Sequence, residues 1–464
     1  MSASRFTFNV SWSLSLFNVK RETIVFMGTA TQKKGTRATL LIRGARLFDP
    51  ARGLDRHGDV LIEKGRISSL APAGKGSAAG QVIEAGGMLL LPGFVDLHTH
   101  LRTPGREDEE DIASGTAAAA AGGYASICAM ANTDPVVDNA AVLSSLIEAA
   151  EAEAFVRVAF LGAISRRLEG IHLSDMWDMA AAGAVAFSDD GRPVSDGGLL
   201  RSAFQAAKLV GLPLCLHCED SDLAGQGVMN EGEVSARLGL AGIPATAETA
   251  ALARDLEIAA YEGGRVHIAH LSCARSLELL EAARRAGAEV TCEATPHHLL
   301  LTENDVAGDL DASFKMSPPL RTESDRRALV EALAAGAINC IATDHAPHAV
   351  QEKETPFEEA PFGVVGLETA FPVLYSGLAE TGEAPLEKLV LAMSTSPARA
   401  IGLPEPKIAV GEEANLCLVD IKEEFEIDPE SFRSKSRNTP FAGRRVKGRV
   451  VLTVSGGRVA HNVI

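Results

Sequence analysis

The fold of this chain is decided by the stretch Met88-Leu-Leu-Leu-Pro-Gly-Phe-Val95 and the residues that follow it, Asp96-Leu-His98-Thr-His100. The first part is apolar and largely β-favouring, which predicts a buried strand. Side chains two residues apart in a strand point to the same side, so His98 and His100 direct two imidazoles at one point near the end of this strand. Two converging neutral imidazoles can bind a divalent metal ion.

Similar apolar runs recur through residues 93–402 and alternate with segments of helical period. The predicted strands are 125–130, 156–161, 184–187, 213–216, 266–269, 290–293 and 338–342. The predicted helices are 141–153, 198–210, 247–262, 275–286 and 324–335. Alternating strand and helix units imply a parallel sheet, and this number of units favours an α/β fold of the (β/α)8 TIM-barrel type over an open sheet. No Gly-x-Gly-x-x-Gly follows the first strand, which argues against a dinucleotide site.

Both ends of the chain have a different sequence pattern, which predicts short strands separated by turns that contain Gly and charged residues. We therefore predict a composite β-sandwich domain built from residues 38–92 plus 403–464, beside a catalytic barrel at 93–402. Residues 1–37 lack the features of a signal peptide and contain a second Met at position 27. We expect them to be a disordered extension, or the product of a start codon assigned too far upstream.

Composition narrows the class of protein. The 464 residues carry a formal net charge of −17, which argues against a nucleic-acid or anionic membrane partner. The seven cysteines are odd in number and include a single Cys-x-x-Cys pair, Cys215 and Cys218, with no second pair to match it, so neither a disulfide framework nor a four-cysteine zinc site is indicated. The sequence has no run of apolar residues long enough for a transmembrane helix. These features predict a cytoplasmic protein that acts on a small molecule.

Metal-ligating residues follow most of the predicted strands, and in a barrel of this type the active site lies at the carboxyl ends of the strands. The candidate ligands are His98, His100, Asp189 or Asp190, His217, His270 and Asp344. Any single histidine is more often structural, but the joint pattern favours a metal site. The set suits zinc, and less exclusively manganese, iron or cobalt. It could hold one ion, or two about 3.5–4 Å apart that share a carboxylate. Asp344 is the candidate acid/base as well as a ligand.

Several motifs occur together with this pattern: Asp-Leu-His98-Thr-His100-Leu-Arg102-Thr-Pro-Gly, Met130-Ala-Asn132-Thr, Phe187-Ser-Asp-Asp190-Gly, His217-Cys-Glu-Asp, His270-Leu-Ser, Glu293-Ala-Thr-Pro-His-His-Leu, Lys315-Met-Ser-Pro-Pro-Leu-Arg321, Ala342-Thr-Asp344-His-Ala-Pro-His348 and Ala360-Pro-Phe362-Gly363. In this order they resemble the dihydroorotases of the amidohydrolase superfamily. The resemblance extends from about residue 39 to 460 and is closest to the bacterial class I type, in which an aspartate replaces a carboxylated lysine.

The resemblance implies a zinc-dependent cyclic amide hydrolase. Its reaction would be the reversible cyclisation of N-carbamoyl-L-aspartate to dihydroorotate in pyrimidine biosynthesis. It favours Asp190 as the ligand that bridges two zinc ions, with Asp189 as the alternative. Hydantoinases and allantoinases usually need a lysine in the segment 184–191, which contains none here, and this argues against both. A catalytically silent subunit is a further alternative, but such relatives typically lose metal ligands.

The resemblance also assigns the substrate contacts. They are His100, Arg102, Asn132, Ser317, His348, and the backbone of Phe362 and Gly363. Arg102 suits a substrate carboxylate because its guanidinium can bind one in a bidentate manner. Two positions depart from the family pattern: Ala131 replaces a proline, and Ser317 replaces an asparagine. The resemblance further suggests a homodimer and aspartate transcarbamoylase as a candidate partner.

Two other segments have simpler interpretations. The charge run at 105–111 is expected to be a solvated loop before a helix. Residues 346–362, rich in Pro, Glu and Ala, are expected to form a mobile loop at the active site.

Overall fold

A computed structural model describes residues 39–76, 80–306, 308 and 310–464 of the chain. Its centre is a sheet of eight parallel strands. These are β1 (Phe94–Thr99), β2 (Tyr124–Ala129), β3 (Arg157–Gly162), β4 (Ala186–Phe187), β5 (Leu214–Leu216), β6 (Val266–Ile268), β7 (Val290–Ala294) and β8 (Cys340–Ile341). Neighbouring strands pair in chain order from β1 to β8, the arrangement of a (β/α)8 barrel.

The sheet closes on itself through a short contact between its first and last strands. Thr99, at the end of β1, forms a parallel bridge with His345, which lies just beyond β8. The backbone N–H of His100 donates to the carbonyl oxygen of His345 at 2.9 Å. The predicted barrel fold is therefore confirmed as a nearly closed eight-stranded barrel.

Helices connect the barrel strands on the outside. The longer ones are Ile112–Ala121, Ala140–Glu153, Met176–Ala182, Gly197–Val210, Ala245–Glu262, Ala274–Arg285, Glu323–Ala335, Leu386–Met393 and Thr395–Ile401. The five helices predicted from periodicity are confirmed to within two residues at each end. The helix expected after the charge run at 105–111 is also present, as the alanine-rich and largely buried Ile112–Ala121.

Side chains at the helix ends explain where several of these helices begin and stop. Asn139 accepts hydrogen bonds from two free backbone N–H groups of the helix that follows it, and Thr322 caps the helix Glu323–Ala335 in the same way. Gly336 ends the latter helix with a φ of 85°, a conformation that glycine adopts without strain. In the part of the chain that is described, no helix combines the length and the apolar character needed to cross a membrane.

Shorter helical segments occupy many of the loops. They are Pro50–Arg52, Arg166–Leu168, Ser221–Ala224, Glu233–Leu238, Pro296–Leu300, Glu303–Val306, Ala312–Phe314, Val350–Lys353, Ala370–Leu374, Tyr375–Ala379 and Pro429–Ser431. Small two-stranded ribbons pair Met229–Asn230 with Gly242–Ile243 and Phe425–Glu426 with Arg445–Val446.

A second, mixed sheet joins the two ends of the described chain. Its eight strands are Leu40–Asp49, Leu54–Glu63, Arg66–Ala71, Gln81–Glu84, Leu89–Pro92, Leu416–Asp420, Arg449–Ser455 and Arg458–Asn462. Leu89–Pro92 pairs antiparallel with Leu416–Asp420, so the two ends meet directly. The sheet has a hydrophobic core of its own that includes Ile42, Val60 and Leu452. The expectation of disorder for residues 1–37 falls outside the described residues.

Candidate metal centre and active site

The carboxyl ends of the barrel strands bring together the side chains that the sequence singles out. His98 lies in β1 and His100 just after it. The remaining members follow other strands: Asp190 after β4, His217 after β5, His270 after β6 and Asp344 after β8. All six side chains are buried, with relative exposures between 0% and 7%. Residues up to 246 positions apart in sequence thus surround one point.

Short distances connect the histidines of β1 to the two aspartates. Nε2 of His98 lies 3.3 Å from Oδ1 of Asp190 and 3.4 Å from Oδ1 of Asp344. Nε2 of His100 lies 3.2 Å from the same Asp344 oxygen and 3.5 Å from Oδ2 of Asp190. Each aspartate therefore faces both imidazoles, as a carboxylate shared between metal sites would.

The other two histidines complete the cluster on the opposite side of Asp190. Nδ1 of His217 lies 2.8 Å from Nε2 of His270. Both of these nitrogens lie 3.7 Å from Oδ1 of Asp190. Asp190 consequently lies within 3.7 Å of all four histidines.

The structure also separates the two adjacent aspartates of the sequence. The carboxylate of Asp189 turns away from the histidines and accepts the backbone N–H groups of Ile164 at 2.7 Å and Ser165 at 3.0 Å. Asp190 points toward the histidines instead. Asp189 therefore stabilises a neighbouring loop, and Asp190 belongs to the cluster.

The cluster has the features of a metal site. Nε2 of His98 and Oδ1 of Asp190 are buried, and neither has a hydrogen-bond partner among the described residues. Buried polar atoms are rarely left unsatisfied, so such a pair calls for a further partner. Three overlapping triplets of ligand atoms lie close enough to hold an ion: His98/His100/Asp190, His98/His270/Asp344 and Asp190/His217/His270. Imidazole nitrogen and carboxylate oxygen are ligands that zinc accepts.

The pKa shifts within the cluster also favour a metal site. Burial opposes ionisation of Asp190 and Asp344. The neighbouring histidines, above all His98, nevertheless lower the pKa of each carboxyl group below its usual range. Burial likewise opposes a positive charge on His98, but the two aspartates raise its pKa well above the ordinary value. Two buried carboxylates in this position therefore demand positive charge, which a divalent cation supplies.

Two side chains orient the histidines of β1. Glu293 of β7 is buried, and its Oε1 lies 3.0 Å from Nδ1 of His98. The side-chain oxygen of Asn132 lies 2.9 Å from Nδ1 of His100. Because oxygen acceptors hold the proton on Nδ1, both Nε2 atoms are left free to bind at the centre. The sequence analysis did not assign this role to Glu293, although its place at the end of a predicted strand was the available signal.

Backbone strain is concentrated at the site. His270 has a φ of 29°, Asp344 a φ of 47° and Arg102 a φ of 56°. Side chains other than glycine rarely adopt such values, which cost of order 1–3 kcal/mol each and persist where surrounding contacts enforce them. The strain allows these side chains to leave the strand ends in directions that regular backbone does not permit.

A cavity of about 350 Å³ opens above the cluster. Of the predicted substrate contacts, His100, Arg102, Asn132, Ser317, Phe362 and Gly363 line it, together with ligands of the cluster. Glu219 also lines the cavity, and its Oε2 accepts a hydrogen bond of 3.1 Å from the Ser317 hydroxyl. The sequence analysis missed Glu219 because nothing local shows which way a side chain beyond a strand end points.

His348 has a different place. It is not among the residues that line the cavity, and its Nε2 lies 2.8 Å from the carbonyl oxygen of Phe362. A carbonyl only accepts, so Nε2 donates the hydrogen. His348 thus binds the backbone of Phe362 without lining the cavity itself.

The charge run at 105–111 is not the fully solvated loop that was expected. Glu109 and Glu110 are 1% and 0% exposed. Glu110 accepts hydrogen bonds from the Ser434 hydroxyl and from the backbone N–H of Lys435. The expectation was wrong for these two residues. Glu109 is paired with Arg102 and Arg106, and Glu110 has partners more than three hundred positions away that leave no local pattern in the sequence.

Solved structures share this fold over nearly the whole chain. An L-hydantoinase from Arthrobacter aurescens superposes with a TM-score of 0.82 at 26% identity, covering 92% of this chain and 96% of that one. A dihydropyrimidinase from Brevibacillus agri NCHU1002 gives a TM-score of 0.80 at 24% identity, with 91% and 95% covered. The fold is thus that of hydantoinase-type amidohydrolase barrels.

Sequence relatives narrow the class further. Residues 87–276 match the family model described as dihydro-orotase-like. Proteins named dihydroorotase are 45% identical in Anaeromyxobacter sp. (strain K), covering 91% of this chain and 98% of the relative, and 46% identical in Pelotomaculum thermopropionicum, covering 90% and 98%. The chain belongs to the dihydroorotase family.

Proposed function

We propose that this protein catalyses the reversible cyclisation of N-carbamoyl-L-aspartate to (S)-dihydroorotate and water, a step of pyrimidine biosynthesis. The observation that carries the proposal is the meeting of four histidines and two aspartates below a cavity that Arg102 also lines. The names of the relatives, at about 45% identity over most of the chain, support the same reaction.

The cluster would hold zinc, as one ion or two, through His98, His100, Asp190, His217, His270 and Asp344, with Asp190 as the shared ligand. A bound zinc ion lowers the pKa of its water to about 7 and polarises a carbonyl oxygen. The unsatisfied Nε2 of His98 and Oδ1 of Asp190 support this assignment.

Asp344 would move the proton. In the hydrolytic direction its carboxylate accepts a proton from the attacking water and delivers it to the ring nitrogen as the amide C–N bond breaks. In the biosynthetic direction the protonated carboxyl helps water to leave. Its place in the cluster, 3.2 Å from Nε2 of His100, supports this role.

The cavity wall would bind the rest of the substrate. Arg102 pairs with the substrate carboxylate, because the guanidinium presents its N–H groups in a planar fork. Asn132 and Ser317 offer further hydrogen bonds, and the backbone of Phe362 and Gly363 contacts the ring. His348 acts indirectly, through its hydrogen bond to the Phe362 carbonyl.

The deciding experiment measures dihydroorotate hydrolysis and zinc content on one purified sample, with hydantoin and allantoin as rival substrates. We expect the protein to hydrolyse dihydroorotate but neither hydantoin nor allantoin. Its activity should be lost after chelation and should recover when zinc is added. Asp344→Asn should lower kcat by about 10²–10⁴-fold, the usual contribution of a general acid/base. The exposed Asp178→Asn should not change it. Turnover of hydantoin without dihydroorotate would overturn the proposal in favour of the rival cyclic amidase.

We further propose a cytoplasmic homodimer, with residues 93–402 as its catalytic domain and aspartate transcarbamoylase as the candidate partner. Light scattering tests the dimer, and assays with and without the transcarbamoylase test the partnership. Full activity of the isolated protein would remove any requirement for the partner. A sample that holds no zinc and stays silent with the partner present would instead indicate a catalytically inactive subunit.

A further inference from the structure

The buried carboxylate of Glu109 lies behind the arginine that faces the cavity. Its Oε2 is 2.9 Å from Nε of Arg102, and the same Nε donates to the carbonyl oxygen of Pro347 at 3.0 Å. Both contacts use Nε of Arg102. The two Nη atoms take no part in these contacts, and Arg102 also lines the cavity.

The second oxygen of Glu109 is also engaged. Oε1 accepts a short hydrogen bond from Nη2 of Arg106, and the same Nη2 donates to Glu352 at 2.6 Å. Oε1 additionally lies 3.5 Å from Nδ1 of His348, the residue that holds the Phe362 carbonyl. Glu109 therefore lies between Arg102, on one wall of the cavity, and the segment containing His348 and Phe362, which forms another wall.

A metal ion is not needed to explain this cluster. Glu109, His348 and Glu352 could formally ligate a cation. The guanidinium of Arg106, however, already bridges the two carboxylates. A buried carboxylate is costly unless it is paired, and here two arginines pair it.

We propose that Glu109 is a positioning residue for substrate recognition, which holds the Arg102 guanidinium toward the cavity. The proposal rests on the proposed function, since the group that Arg102 would bind is the substrate carboxylate. A carboxylate can accept from both arginines at once, whereas the glutamine side chain has a single acceptor oxygen and turns its NH2 toward one of the two cations. Glu109→Gln therefore frees one arginine without a large change in volume.

The kinetic test compares Glu109→Gln with Asp108→Asn, a matched control that removes an exposed carboxylate from the adjacent position. We expect Glu109→Gln to raise the KM for dihydroorotate about tenfold or more, as expected for loss of a hydrogen bond between charged groups, with a smaller change in kcat. Asp108→Asn should leave both constants unchanged. A KM that stays the same or falls in Glu109→Gln would overturn the proposal.

A double-mutant cycle separates positioning from a general effect on the fold. If Glu109 acts through Arg102, adding Glu109→Gln to Arg102→Met should not raise KM further. Fully additive effects would contradict the proposal. Equal zinc content and equal thermal unfolding in all variants exclude a loss of folding as the cause.

A third measurement does not depend on turnover. Hydrogen exchange in the segment 346–363 should become faster in Glu109→Gln than in Asp108→Asn, because the contacts to Pro347 and His348 are weakened. If the natural protein fails to hydrolyse dihydroorotate, the proposed function is wrong, yet this exchange still decides the positioning role. Identical exchange in both variants would overturn it.

Discussion

Nδ1 of His98 lies 3.0 Å from Oε1 of Glu293, and both side chains are almost completely buried. The second oxygen of Glu293 lies 2.9 Å from Nε2 of His267. Burial opposes ionisation of Glu293, but its bonds to His267 and His98 lower its pKa to about 2. The carboxylate therefore stays charged and keeps the proton of His98 on the nitrogen that faces away from the metal cluster.

Replacing Glu293 should weaken metal binding. Glu293→Gln removes the charge that holds the His98 tautomer, and loss of such a partner typically lowers metal affinity about 10–100-fold. Competition with a chelator of known affinity measures the effect. The exposed Glu289→Gln in the same segment is the control and should bind zinc like the natural protein. Equal zinc affinity in both variants would contradict the orienting role.

The cavity wall at Ser317 should tune substrate affinity. Serine is shorter than the asparagine typical of the family, and here its hydroxyl is directed to Glu219. Ser317→Asn extends an amide donor and acceptor into the cavity, so we expect the KM for dihydroorotate to fall about threefold or more. Steady-state kinetics check this, with the exposed Ser202→Asn as control. An unchanged KM would remove any substrate role for this position.

The segment 346–362, which the sequence predicts to be mobile, accepts hydrogen bonds from two lysine side chains that would restrain it. The Lys353 ammonium donates to the carbonyl oxygens of Pro361 at 2.8 Å and Ala312 at 3.0 Å. The Lys315 ammonium donates to the carbonyl oxygen of Phe357 at 2.8 Å. Lys353→Met would leave carbonyl groups without donors, at a cost of about 1–3 kcal/mol.

We therefore expect Lys353→Met to accelerate hydrogen exchange around Phe362 and to lower kcat/KM for dihydroorotate. The exposed Lys422→Met is the matched control and should change neither quantity. If exchange in the natural protein is already fast in this segment, the ammonium does not fasten it and the original expectation of a mobile loop stands.

One acid outside the active site should give the stability a pH dependence. Glu368 accepts hydrogen bonds from the backbone N–H groups of Arg433 at 2.8 Å and Ser434 at 3.1 Å. Burial nevertheless raises its pKa from 4.5 to about 7. The folded state then binds more protons than the unfolded state between these values, so the free energy of unfolding falls as the pH rises from 4.5 to 7.

Thermal unfolding across this pH range measures the effect. Glu368→Gln cannot ionise, so we expect its unfolding temperature to decline less between pH 4.5 and 7 than that of the natural protein. The exposed Glu387→Gln should follow the natural protein. Parallel curves for Glu368→Gln and the natural protein would contradict the raised pKa.

Features that depend on neighbours along the chain could be predicted from the sequence. Apolar runs and helical periods predicted the barrel, since hydrophobic spacing reflects which side of a strand or helix is buried. The spacing of His98 and His100 predicted their convergence, because alternation along a strand is a local property. Placement of the ligand candidates at strand ends then followed, because parallel strands share a carboxyl edge.

The three-dimensional structure was needed to show which of these side chains meet and which residues support them. It separated Asp190 from Asp189, which no local pattern could do, since the two differ by one position and their partners lie on other strands. It buried Glu109 and joined Glu293 of β7 to His98 of β1, 195 positions apart in sequence. Contacts of this kind form between side chains that are distant in sequence. They therefore produce no regular period or spacing from which they could be predicted.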